Sequence, residues 1–502
     1  TSSSDYTARL WSIPEMRLRA VFNEQADDVE MSAFHPNRNL VATASRDHRL
    51  RIYDFDGRLV HCCTGHTADV ISVDWSHDGR EVVTSSDDGT VKRWSSVTGE
   101  LIEDIDLGGV ETDTIVMARD GVIYAGNDEG QIIAIHGDRR TPVQGHDAGV
   151  KRLVLDPDRD LLVSLSYDRA LMLWDTSGTE LRKVAQAEIP SDVWPRSCAF
   201  AAGSTLVFGT FGATYRTYDY DVGEWKGDAP PTPGVNAVCA HNGSVFTVGD
   251  SGVVMRDGIA LASMGSLCNF LTPLTSMVVT GGQLGRLMDA ASGRVLHQHK
   301  SPLNCGVGFV VDGVEYLLVG AYTGEGLVFR CDPDGELRHV TDVALHVNAV
   351  KGVAFSGDLL FSVCADTAVA WHDARTLALT HRITEAHDRI ANGCVGLGEG
   401  CFASVGRDLK LRIWASDFSA TVVDTTHQNS IKCVTADDSG RLVATGSYHG
   451  HVKIYDRIAG RWLRGERPTT SGISSLTYDT SRRHFLAGSY DGSIYEIAGE
   501  EA

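Results

Sequence analysis

Two His-x-His pairs, His297/His299 and His449/His451, stand out among the side chains that could do chemistry, beside Asp156, Asp158, Asp160 and eleven cysteines. Residues two apart on a strand share a face, so either histidine pair could point together at a metal ion. No third ligand can be named for them, and no metal is assigned. The alternating aspartates have the spacing of a calcium loop, yet the following Gly and the later bidentate Glu are missing. Corresponding stretches elsewhere read HPNRN, SHDGR and DDSGR, so DPDRD reads as a hairpin turn. Most cysteines, Cys198, Cys239, Cys364 and Cys433 among them, sit singly inside apolar strands, where a free thiol behaves as a small hydrophobe. No CxxC pair occurs, and the adjacent Cys62 and Cys63 would face opposite ways on a strand; a reducing cytosol is expected. GLGEG (396–400) fits a β-turn, and no Gly-rich loop ends in the Lys and Ser or Thr that cradle phosphate. No catalytic residue and no cofactor is assigned, and the chain is not expected to be an enzyme.

The elements that would position these groups repeat about every forty residues. TSSSDYTARLW from Thr1, TASRDHRLRIYD from Thr43, TSSDDGTVKRWS from Thr84 and SLSYDRALMLWD from Ser164 are variations on one theme. SVGRDLKLRIWAS from Ser404, TGSYHGHVKIYD from Thr445 and AGSYDGSIYEI from Ala487 repeat it in the second half. Each is an apolar strand, a tight turn usually carrying Asp, and a second strand that tends to end in an aromatic. Around Asp88 four short strands follow one another, with turns at SHDGR and at Asp87–Asp88–Gly89, which makes one small antiparallel sheet. Leu50 and Ile52 alternate with Arg51 and Tyr53, and Leu411 and Ile413 with Arg412 and Trp414, so both faces carry packing groups. Sheets of this kind are stable only when stacked on their neighbours.

These residues resemble the WD-repeat family, whose units open near Gly-His and close at Trp-Asp. Gly65–His66 and Gly145–His146 match the opening, and Trp174–Asp175 matches the closing pair. The resemblance implies an internal hydrogen-bonded set of His, Ser or Thr, Asp and Trp. His66, Thr84, Asp88 and Trp94 fit it, as do His146, Ser164, Asp168 and Trp174, and His387, Ser404, Asp408 and Trp414. A buried Asp is costly unless donors satisfy it, so these groups are expected to be structural braces. Tyr53 and Tyr455 replace Trp, His449 stands where Asp is expected, and the signature fades between about residues 190 and 330. The family also implies a contact face bearing the residue before each turn Asp. Arg46, Asp87, Tyr167, Arg407, Tyr448 and Tyr490 occupy those positions, and Trp194 lies in an unusually apolar connection; these are the candidate partner-binding residues.

Thirteen second-to-third-strand turns can be counted, too many for one ring. The expected fold is all-β, with two tandem seven-bladed β-propellers of four-stranded antiparallel blades. The Pro cluster from Ala229 to Gly234 separates residues 1–229 from 235–502, with six units before it and seven after. Thr1 already occupies a second-strand position, so the first blade is incomplete. A piece of a longer protein is expected, with one more unit upstream. Forty-five basic against 66 acidic side chains give a net charge of −21, which disfavours nucleic acid. The most apolar stretch, Cys305 to Tyr322, is broken by Asp312 and Glu315, so no membrane span is expected, and no signal peptide is read. The resemblance and the Ala/Asp/Arg/Gly-rich composition suggest a cytoplasmic, bacterial protein-recognition or scaffold module. It would be the sensor portion of a longer signalling or defence protein, binding other proteins or domains of its own parent chain. The alternative is a channel that binds a small ligand or catalyses a reaction.

Overall fold

Along Arg49–Asp54, Leu50, Arg51, Ile52 and Tyr53 are all buried, so this strand packs on both faces. Arg51 tolerates that position because Asp47 meets its guanidinium at 2.8 Å. Arg49–Asp54 is the third strand of its unit, and second strands such as Glu81–Ser86 and Leu161–Ser166 are likewise buried along nearly their whole length. Fourth strands such as Leu59–Thr64 and Arg182–Glu188 are largely exposed. Each unit therefore runs from a packed interior to a wet outer edge, as a propeller blade must.

The computed structural model describes residues 1–3, 5–178, 180–190, 193, 195–210, 215–227, 234–332, 335–463 and 465–499. Among them are thirteen antiparallel sheets, numbered here as blades 1–13 in chain order. Eleven have four strands in sequential order, blade 1 (Ala8–Ser12, Arg17–Phe22) has two, and blade 13 (Ile473–Asp479, His484–Ser489, Ile494–Ala498) has three. Two compact units result, one within residues 1–228 and the other within 229–502.

In the N-terminal unit, Thr1 lies beside Ala8–Ser12: its amino group donates to Arg9 O, and Arg9 N donates to Thr1 O, both at 2.8 Å. It thus takes the second-strand edge of blade 1, whose Leu10 and Phe22 pack with Val29, Val41 and Tyr53 of blade 2. The first strands of blades 2 to 6 follow one another in contact.

In the C-terminal unit the first strands of blades 7 to 13 form a closed ring, since Ile473–Asp479 packs on Val235–His241. Ser474 Oγ donates to Val235 O, and Val238 N donates to Ser475 Oγ at 3.2 Å. Closure is by direct packing of the first and last blades. In blade 7, Asn242 and Gly243, both at positive φ, make the turn between the first two strands. No helix of the described residues is long and apolar enough to cross a membrane.

Candidate functional site

The sequence-predicted braces converge, each in one blade. In blade 3, His66 Nδ1 lies 2.8 Å from Asp88 Oδ2 and Nε2 lies 2.8 Å from Thr84 Oγ1, to which Trp94 Nε1 donates at 2.9 Å. Because the indole can only donate, the Thr84 hydroxyl proton turns to His66 Nε2, and Nδ1–H turns to Asp88. Blade 5 repeats this with His146, Asp168, Ser164 and Trp174 at 3.0, 2.7 and 2.9 Å. Blade 11 does so with His387, Asp408, Ser404 and Trp414 at 3.1, 2.8 and 2.8 Å. Burial alone would push the Asp408 carboxyl up, but His387 and Arg412 outweigh it and hold it at about 2. His387 is pulled below its ordinary value by burial, against the opposing pull of Asp408. Proton affinities are set here for permanent pairing.

Most of the other chemical candidates are engaged locally, although His449 Nδ1 is buried without a hydrogen-bond partner. His297 stacks on His339 at 5.1 Å, whereas His299 Nδ1 sits against the Ser301 backbone, so that pair does not converge. Asp156 caps its own turn through Asp158 N at 3.0 Å, and Asp158 pairs with Arg119 at 2.5 Å. GLGEG forms a hairpin with Glu399 and Gly400 at positive φ. The cysteines are free thiols.

A feature that the sequence did not disclose governs the start of each first strand. In eleven blades the pairing register slips around the second residue of that strand, a β-bulge: Glu30, Ile71, Asp113, Lys151, Asn236, Asn269, Asn304, Lys351, Asn392, Lys432 and Ser474. A bulge re-aims a side chain out of the ladder. In the C-terminal ring the re-aimed amides link neighbouring blades. Asn236 Nδ2 donates to Cys268 O, Asn269 to Leu303 O, Asn304 to Val350 O and Asn392 to Ile431 O, at 2.8–3.2 Å. Each bulged residue is the second of its strand, directly after a buried first residue such as Val29, Val70 or Val150, but its own type varies from blade to blade. That variation concealed the slip.

The predicted rim residues lie beside this belt, and most are less open than the sequence implied. Arg46 is clamped between Glu30 and Asp69 and is only 19% exposed. Tyr167 was expected on the surface but is buried at 8%: Lys151 lies 4.9 Å over its ring and Arg196 5.9 Å. Cations on long stems cover an aromatic face readily, which explains the correction. Asp87 is half-buried, and its carboxyl is held well above the usual range by burial and by Asp113, Glu111 and Asp69, against Arg46. Lys151 bridges Asp113 and Asp128, and Arg196 reaches Asp113 at 3.2 Å. This part of the N-terminal unit thus gathers Glu30, Asp69, Asp87, Glu111, Asp113 and Asp128 against Arg46, Lys151 and Arg196.

In the C-terminal ring Tyr448 and Tyr490 are half-buried and stacked at 6.1 Å with planes 9° apart. Burial and the neighbouring Tyr448 push the Tyr490 hydroxyl well up. Arg407 is half-buried on a neighbouring blade. Trp194 lies outside the described residues.

Asp250, near Tyr490, gives a direct test of this environment. Burial raises its carboxyl to about 6, although Asn236 Nδ2 donates to it at 2.9 Å. The folded state therefore binds this proton more tightly than the unfolded chain, and the stability so gained is lost as pH rises from about 4 through about 6. Asp250→Asn keeps the acceptor without the charge. It is expected to stabilise the C-terminal unit by about 2 kcal/mol near pH 8 and by almost nothing near pH 4, read from denaturant midpoints.

A family model described as WD domain, G-beta repeat, matches residues 17–54, 57–95, 137–175, 420–456 and 463–495. The chain thus carries WD repeats within its stack of four-stranded β-propeller blades. Transcription initiation factor TFIID subunit 5 of Caenorhabditis elegans is 31% identical over 27% of this chain and 22% of its own length. Autophagy-related protein 16 of Arabidopsis thaliana is 25% identical over 39% of this chain and 40% of its own. The guanine nucleotide-binding protein subunit beta of Oryza sativa subsp. japonica is 26% identical over 36% of this chain and 53% of its own. The chain thus spans from 22% to 53% of the length of these relatives. Among solved structures, the WD40 beta propeller domain of Doa1 resembles it with a TM-score of 0.46 and 16% identity, over 54% of this chain and 95% of that one.

Proposed function

We propose that the chain is a non-catalytic protein-recognition module, the cytoplasmic sensor or scaffold portion of a signalling or defence protein. One observation carries this reading. The His, Ser or Thr, Asp and Trp groups that could act as reagents are buried and hydrogen-bonded to one another in blades 3, 5 and 11. What remains for another molecule is the belt with its flanking Tyr and Arg side chains, the types that anchor protein interfaces, set among acidic groups. The similarity to the TFIID and G-protein β subunits supports the same class of role. Capture of proteins by the full chain from its source cells should fall about tenfold or more for a Tyr448→Ala/Tyr490→Ala variant. Undiminished capture of every partner would remove this rim from the proposal.

A further inference from the structure

Blade 10 (Val350–Ser356, Leu359–Cys364, Val369–Asp373, Leu379–Ile383) carries a brace of a different composition. His346 and Ser362 take the usual places, with Nε2 2.9 Å from Ser362 Oγ. Ten residues beyond Ser362, where the complete sets place Trp94, Trp174 and Trp414, stands His372. Two residues beyond Ser362, where blades 3 and 5 have Ser86 and Ser166, stands Cys364.

These exchanges change what His346 offers. No indole donates to Ser362, whose hydroxyl faces Ala370 O at 3.5 Å. His346 Nε2–H can then donate to Ser362 Oγ, which leaves Nδ1 with a bare lone pair. Consistently, Nδ1 has no hydrogen-bond partner and stands 3.8 Å from Asp366, against 2.8–3.1 Å in the three complete braces. The imidazole is fully buried, and the Asp366 side chain is 20% exposed, so the cluster is reachable from one side. Blade 12 also has an unpartnered imidazole nitrogen, on His427, but there His449 replaces the Asp and Ser447 stands in the place of Cys364.

We propose that His346 Nδ1, Cys364 Sγ and Asp366 form a binding site for a divalent transition metal of the zinc class. Their ligand atoms all lie within 4.8 Å of one another. Imidazole, thiolate and carboxylate are the ligands this ion takes, with a fourth tetrahedral position open to water. Tetrahedral coordination spaces donors roughly 3.5 Å apart, so closure by about 1 Å suffices. Ser362 is the outer partner that orients the imidazole through its other nitrogen. The competing reading is a worn brace in which the thiol merely donates to Asn348 O at 3.1 Å, as Ser166 donates to Ala148 O at 2.9 Å.

Titration of the full chain with cobalt(II) separates the two. The intact chain should take up one equivalent, with tetrahedral ligand-field bands and a thiolate-to-cobalt charge-transfer band. Cys364→Ser, which restores the residue used in blades 3 and 5 and so should fold, is expected to lose the charge-transfer band and weaken zinc binding about 100-fold. Cys433→Ser should change neither. His372→Trp supplies the missing indole donor, turns His346 Nδ1–H toward Asp366, and should suppress binding without altering a ligand. No thiolate band in the intact chain, or one that survives Cys364→Ser, would overturn the site.

Discussion

Asp408→Ala is expected to cost the C-terminal unit about 3–5 kcal/mol, the range seen when one partner of a buried ion pair is removed. Asp408 Oδ2 serves His387 Nδ1, Arg412 Nη1 and the Asp388 amide together. Arg412 and His387 are 5% and 1% exposed, so water cannot replace the carboxylate. Truncation leaves a buried N–H unpaired and the buried Arg412 guanidinium with only the exposed Asp388 carboxylate at 3.9 Å, and the Trp414–Ser404–His387 chain loses the end that fixes its proton order. Asp408→Asn retains an acceptor but no charge, and should cost roughly half as much. Denaturant midpoints measure the total. Hydrogen exchange in the full chain should show lost protection first in Cys401–Gly406 and Lys410–Trp414. The wild-type carboxyl at about 2 also fixes a pH dependence: its contribution is complete above about pH 4 and lost as pH falls through about 2. The alanine variant should lack that acid limb. A loss under about 1 kcal/mol would mean that the braces are decoration on blades held by packing alone.

The braces were legible because their parts recur at fixed spacing. Thr84 to Trp94, Ser164 to Trp174 and Ser404 to Trp414 each span ten residues, and a ten-residue hairpin step admits little variation. Blade order was legible for a related reason, since turn residues and period-two alternation of side-chain type recur together. The belt was not. Its position is set by a backbone slip, which leaves no mark on residue type, so Glu30, Ile71, Lys151 and Asn236 looked unrelated. Rim exposure failed at Tyr167 because the covering groups, Lys151 and Arg196, come from other stretches of chain. Local pattern shows which residue sits at a turn. Which side chain lies over it is a tertiary fact.

Lys151→Met should be the most damaging substitution in the N-terminal unit, and its cost should depend on pH. Lys151 is 3% exposed, and its ammonium bridges Asp113 and Asp128 while lying over Tyr167. The two carboxylates respond oppositely. Burial would raise both, but Asp113 has Lys151 and Arg196 and is held low, whereas Asp128 shares only Lys151, faces Asp113, and is held high. Methionine preserves the stem and removes the charge, so near neutral pH two buried carboxylates confront each other across one guanidinium. A loss of about 3–5 kcal/mol is expected. In the variant both carboxyls should bind protons more tightly folded than unfolded, so their unfavourable term grows as pH rises and fades as pH falls. The deficit should therefore be smaller near pH 5 than near pH 8, and Asp128→Asn in the same chain should recover a large part of it at the higher pH. A deficit that stays equal at both pH values, with no recovery by Asp128→Asn, would assign the role of Lys151 to packing over Tyr167 instead of charge.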